Sequence, residues 1–218
     1  MIRLFASRFQ GGYCFLRALA VMARQAWFAE GAAQIVEFAV ALPLLVVFVV
    51  GIFDFSNAFT LKQKLTNVTR DAARTVATEP TSDLGNAMPI SVSDAFYIID
   101  NYLKANNIND CGVNPAGTPA GIPLTWKFTV AAAGPTGCGI TIIINRGYYY
   151  SLPVPAQPPP ATCLPTRPNN GETQMVGTCI SLQYSYPWRF GQAASLIGGS
   201  GRGLPTMISA QAIAANEF

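Results

Sequence analysis

Residues 31–54 read GAAQIVEFAVALPLLVVFVVGIFD: three small residues at Gly31, Ala32 and Ala33, then an apolar run broken by one glutamate and one proline. Ile35 to Phe53 carries a single charge, Glu37. At 1.5 Å per residue the run covers roughly 28 Å as a helix, close to the hydrocarbon thickness of a bilayer. A single membrane crossing is therefore expected. A carboxylate inside such a helix costs about 2.5–3.5 kcal/mol at the bilayer centre and less near the interface. A plain anchor has no use for it, so Glu37 is a candidate functional residue.

An ordinary secretory signal places its small-residue cleavage site after the apolar stretch, which is then discarded. Here the small residues precede it. Cleavage at this gate would remove a basic leader and leave the apolar helix at a new N-terminus, with a free amine a few residues from Glu37. That is a prepilin arrangement, in which the carboxylate can pair with the terminal amine of a neighbouring subunit as both leave water. The rival reading takes Gly12 to Ala23 as a conventional signal, but Arg17 interrupts that run.

The string EGAAQIVEFAVALPLLVVFVVGIFDFSNAFTLKQKLTNVTRDAARTVA, residues 30–77, resembles the TadE-like family of minor pilins, or pseudopilins, of the tight adherence (Tad/Flp) pilus. The resemblance lies in VEFA at Val36 to Ala39, LP at Leu42 and Pro43, GIFDF at Gly51 to Phe55 and LTNVTRDAAR at Leu65 to Arg74, in that order. The C-terminal SAQAIAANEF, with Glu217, is similar to the family's closing strand. The resemblance implies a non-enzymatic assembly protein with no cofactor. Its processing site would be Gly31, Ala32 and Ala33, cut by a prepilin peptidase, and its assembly residues Glu37, Phe38, Pro43 and Asp54. Its partners would be the membrane, other Tad pilus subunits and inner-membrane assembly proteins. The chain departs from the family in one respect: five residues separate Gly31 from Glu37 where four are usual. Cleavage after Ala32 restores the spacing and is preferred, while cleavage after Gly31 leaves the glutamate at mature position six.

Arg3, Arg8, Arg17 and Arg24 against Glu30 favour a cytoplasmic N-terminus, with the C-terminal domain periplasmic or extracellular. Lys62, Lys64, Arg70 and Arg74 follow on the other side, so charge alone does not fix orientation, and Met22 is a second candidate start. Leu61, Leu65, Val68, Ala72 and Val76 recur at helical spacing, which predicts one long helix over about 34–77 with an amphipathic second half. Pro43 removes one backbone hydrogen bond inside it. Asp54, where the run ends, reads either as a solvated end-marker or as a subunit contact.

After Pro80 the composition shifts to Pro, Gly, Thr and Asn with sparse charge. The expected domains are a leader at 1–32, the transmembrane and extended helix at 33–78 and an exported α+β domain at 85–218. Within the last, Ser91 to Asn107 reads as a helix with a capping box from Ser91 and Asp94 and an apolar face of Phe96, Ile99 and Leu103. Strands are expected at 124–130, 140–146, 179–186 and 207–214. The predicted fold is thus α+β: a long N-terminal helix, then a small disulfide-bonded pilin-like domain with a helix laid on an antiparallel sheet. Pro153 to Asn170 reads as an exposed loop or polyproline segment.

Four of the five cysteines, Cys111, Cys138, Cys163 and Cys179, fall in the exported domain, an even set that suits two disulfides in an oxidising compartment. Of three possible connectivities, Cys111 with Cys138 and Cys163 with Cys179 is expected, since each closes a short loop between neighbouring elements. No metal is expected, with no C-x-x-C and no histidine. The missing histidines also argue against an enzyme, and Asp94, Asp100 and Asp110 read as a polar face. GGSGRG at 198–203 lacks the Lys-Ser/Thr of a phosphate loop and reads as a flexible turn. The near-neutral C-terminal half argues against nucleic acid. Tyr148, Tyr149 and Tyr150, or Tyr184, Tyr186 and Trp188, could bind a ligand or subunit, with strand packing as the simpler reading. The alternative to a pilin is an uncleaved single-pass anchor carrying an extracytoplasmic binding module.

Overall fold

The computed structural model describes residues 10–132, 137–151, 163, 174–189 and 206–217, with side chains on the first helix from Ala33 onward. The segment 153–170, apart from Cys163, and the glycine-rich 198–203 lie outside the described residues. Seven elements follow in chain order: α1 (Gln10–Ala77), α2 (Ile90–Ala105), β1 (Thr118–Pro119), β2 (Thr125–Val130), β3 (Ile140–Ser151), β4 (Gln174–Ser185) and β5 (Met207–Ala215). The expected first helix is present but begins much earlier than residue 34, its backbone running unbroken through Gly31, Ala32 and Ala33. The chain divides into two units, Met1–Gly51 and Ile52–Phe218.

Among the described residues of the first unit, α1 packs against no core. Large apolar side chains from Ile35 to Val49 are exposed, and only 6% of the helix's most apolar window is buried. The core helix of a soluble protein would be mostly covered, so this surface requires lipid or other helices.

In the second unit, a sheet with strand order β1-β2-β3-β4-β5, antiparallel throughout, carries both helices on one face. The second half of α1 contributes Ala58, Leu65, Val68, Ala72 and Val76 to the core, with Leu61 partly buried beside them. The stripe read at spacings of three and four is therefore the face laid on the sheet. The sheet answers with Phe128, Ile142, Ile144, Ile180, Leu182 and Ala210, alternate residues of neighbouring strands, as a period-two element requires. α2 buries Val92, Ala95, Phe96, Ile99 and Leu103, and the Phe96 ring stacks on Phe128 with centroids 4.7 Å apart.

Both ends of α2 have identifiable caps. The expected Ser91–Asp94 box does not form, because the chain enters through Pro89 and the helix starts one residue ahead of Ser91, which turns inward and is buried. Asp83 takes over, its Oδ2 accepting the Ile90 N–H at 2.6 Å. At the other end Asn107 adopts φ 54°, the Ile108 N–H reaches the Leu103 carbonyl (2.9 Å) and the Asn107 N–H reaches that of Lys104 (3.2 Å). This is a Schellman closure with asparagine where glycine is commoner.

The strands run longer than expected at β3 and β4, and the two-residue β1 is an addition at the sheet edge. Gly117 precedes it because any Cβ there would strike the Phe128 ring. Between Asn145 and Tyr148 the β3–β4 register slips. The irregularity leaves Asn145 facing the second, smaller cluster of Tyr148, Cys163 and Cys179, while Arg146 reaches back to α1. Cys111 is bonded to Cys138 and Cys163 to Cys179, across sequence separations of 27 and 16. The first bridge lies against the larger core and the second belongs to the smaller cluster.

Candidate functional site

Of the residues singled out in the sequence, Glu37 and Phe38 lie exposed on α1 and Pro43 lies inside it. Ala33 is exposed, and Gly31 and Ala32 are part of the same helix. Among them Glu37 is the one charged group on an otherwise apolar surface between Ala33 and Phe53.

Asp54 lies apart from these, in the second unit. It is not a solvated end-marker: it is 3% exposed. The reason is its place on the inward stripe of α1, one turn before Ala58. There the Tyr186 hydroxyl donates to Asp54 Oδ1 (2.9 Å) and to its backbone carbonyl (3.1 Å). Burial, then the bond to Asp54 and its charge, push the Tyr186 phenol up to about 12, so it remains a donor throughout the physiological range. Trp188 packs edge-on against Tyr186 (4.9 Å) and tilted against Phe55 (5.2 Å). The chain leaving β4 is thereby fastened to the point where α1 ceases to be wholly apolar.

The other end of α1 is held by Arg146, which is 1% exposed. Its guanidinium donates to the Val76 carbonyl, to Thr178 Oγ1 (2.7 Å) and to the Glu79 carbonyl (2.9 Å). The last carbonyls of a helix lack internal partners and carry the negative end of its dipole, so a buried cation there satisfies both. Asn216 closes the arrangement, donating to the Arg146 carbonyl (3.1 Å) and accepting from Thr178 (2.7 Å), and the Glu217 N–H bonds the Ala77 carbonyl (3.1 Å). Midway along, the Lys62 ammonium donates to the Ser209 carbonyl of β5. Arg146 and Lys62 were not predicted as site residues. The available signal was an arginine ending the apolar run ITIII, where a charge is buried only if several acceptors surround it.

Burial and Asp94 raise the Glu79 carboxyl above its ordinary value, Arg146 opposes this and Asp83 adds to it. Because the folded value is raised, the native state favours the protonated form. The stabilisation is present in acid and is lost as pH rises from the unfolded value of 4.5 through the folded one. Glu79→Gln is expected to melt level with or slightly above the parent chain at pH 7, by under about 1 kcal/mol for so accessible a group. Thermal unfolding of both proteins at pH 4 and pH 7 checks this; a variant clearly less stable at pH 7 would refute it.

Elsewhere the exposed Lys104 bridges the buried Asp100 (2.7 Å) and the partly buried Asp110 (3.3 Å), and among the described residues no group of three or more acidic or cysteine side chains is placed to hold a metal. The described residues offer an apolar helical surface and, in the second unit, a disulfide-bonded domain packed on the second half of α1, which points to a membrane-anchored protein with an extracytoplasmic domain.

Searches of curated proteins and of solved structures each found no match to this chain. The family of TadE-like proteins, generally non-enzymatic, does match, from the small-residue gate through the amphipathic part of α1. The chain carries a TadE-like domain at residues 32–74.

Proposed function

We propose that this chain is a TadE-like minor pilin or pseudopilin that acts in assembly of Tad/Flp adhesive pili, anchored in the bacterial inner membrane with residues 85–218 outside it. The observation that carries the reading is the pairing of an exposed apolar helix with Glu37 near its start, inside the segment that matches the family. Such a helix is an anchor before assembly and packing surface after it. Glu37 gives the packing a register: buried among other helices, the carboxylate needs a cation, and a neighbour's terminal amine, released by a prepilin peptidase at Gly31 to Ala33, provides one. Pro43 leaves one carbonyl without its helical bond and loosens the helix where neighbours would pack.

A second reading, an uncleaved single-pass anchor carrying a binding module, is favoured by the extra residue between Gly31 and Glu37. The mature N-terminus separates the two. Intact-mass measurement of the protein from cells with and without a prepilin peptidase should show the leader removed only in the former; a leader retained in both overturns the pilin reading. Glu37→Ala is expected to insert into membranes normally yet lose most surface pili, counted by electron microscopy. Normal piliation would remove the role given to Glu37.

A further inference from the structure

Large aromatic side chains continue along the exposed face of α1 past the end of the apolar run, interleaved with the small polar residues Ser56, Asn57 and Thr60. Phe53, Phe55 and Phe59 stay 66%, 53% and 64% exposed, and only from Lys62 onward do charged residues join the outward positions. Phe59 lies six residues past Phe53, about 9 Å along the helix, comparable to the headgroup layer on one side of a bilayer. Trp188, in contact with Phe55, brings the residues after β4 to the same level, and exposed Arg189 follows it. Trp188 and Tyr186, aromatic rings with a polar edge beside the apolar phenylalanines and a basic side chain, have the chemistry that settles at a membrane–water interface.

We propose that Phe55, Phe59, Tyr186, Trp188 and Arg189 form a collar that binds the lipid headgroup layer, seating the disulfide-bonded domain on the membrane surface. The collar rests on the reading of α1 as a membrane span, and its continuity with that apolar run selects lipid as the occupant. Phe59 faces outward with nothing to gain from the domain's own core. The Tyr186–Asp54 bond holds the collar's second strand of chain in place, so that rings from two distant parts of the sequence enter the interface together. Lys62, Arg189 and the neighbouring Lys64 would meet anionic phosphates there.

The test uses the full chain in vesicles of phosphatidylcholine and phosphatidylglycerol, brominated on the acyl chains either near the headgroup or near the terminal methyl. Trp27→Phe leaves Trp126, buried in the sheet's core, and Trp188; adding Trp188→Phe gives the Trp188 emission by difference while sparing the core. That emission is expected to fall roughly twofold with shallow bromines and little with deep ones, as for an interfacial indole. Stronger quenching by deep bromines overturns the headgroup placement. Protein that floats with the vesicles but shows no quenching of Trp188, as a second copy or another subunit covering the collar would give, overturns the collar alone. Protein that does not float with vesicles overturns the span and the collar together.

Discussion

Arg146→Met is expected to destabilise the domain by about 3 kcal/mol, since three hydrogen bonds worth roughly 1.5–3 kcal/mol each are lost while the cost of burying the guanidinium charge is relieved. For a chain of this size that corresponds to a fall in melting temperature of roughly 6 to 12 °C. The methionine fills most of the vacated volume, so the loss isolates the acceptors: the Val76 and Glu79 carbonyls and Thr178 Oγ1 all lose a donor at once. Arg146→Lys should recover less than half of the loss, because an ammonium presents no planar fork able to reach α1 and β4 together. Thermal unfolding followed by circular dichroism in detergent measures both. A Met variant that melts with the parent chain would show that water or a shifted backbone replaces the guanidinium.

Removing the second bridge should cost a similar amount. Cys163 and Cys179 are fully buried and separated by 16 residues, a loop whose closure stabilises by about 3 kcal/mol in the chain-entropy model. The paired Cys163→Ala, Cys179→Ala variant is therefore expected to lose about 3 kcal/mol and to release position 163 from β3, where Asn145 Nδ2 now donates to the Cys163 carbonyl at 3.0 Å. Exposure gives an order to the two bridges. Cys111 and Cys138 are only partly buried, so a graded reductant with alkylation and mass spectrometry should find them modified first, because access limits thiol–disulfide exchange. Modification of Cys163 and Cys179 ahead of them would contradict this.

What could be read directly was whatever depends on local periodicity. Leu61 to Val76 declared their shared face through spacing alone, and the alternating runs in β2 to β5 declared theirs, because burial on one side of a helix or strand imposes a repeat. What escaped were long-range polar contacts, which leave no repeat. Asp54 sits on the same helical stripe as Leu61 and Leu65, but its partner Tyr186 is 132 positions away, and a lone aspartate at the end of an apolar run looks solvated without that knowledge. Arg146 is silent for the same reason. The capping box failed by a single residue: Pro89 fixes where α2 begins, and a one-residue shift moves Ser91 from the cap to the buried face. In α1, Gly31 to Ala33 are read as a processing signal by composition alone, and the helix of the full chain, which runs through them, bears on neither outcome.

The seam around Arg146 also bears on the order in which the chain becomes secure as it is made. α1 leaves the ribosome first, but the groups that close its end come from β3, from Thr178 and from Asn216 and Glu217. Until residue 217 has been delivered, the helix end stays frayed and the sheet lacks its edge strand β5. A chain clipped before that point is expected to leave the Val76 and Ala77 carbonyls at the end of α1 without contacts they have in the intact protein.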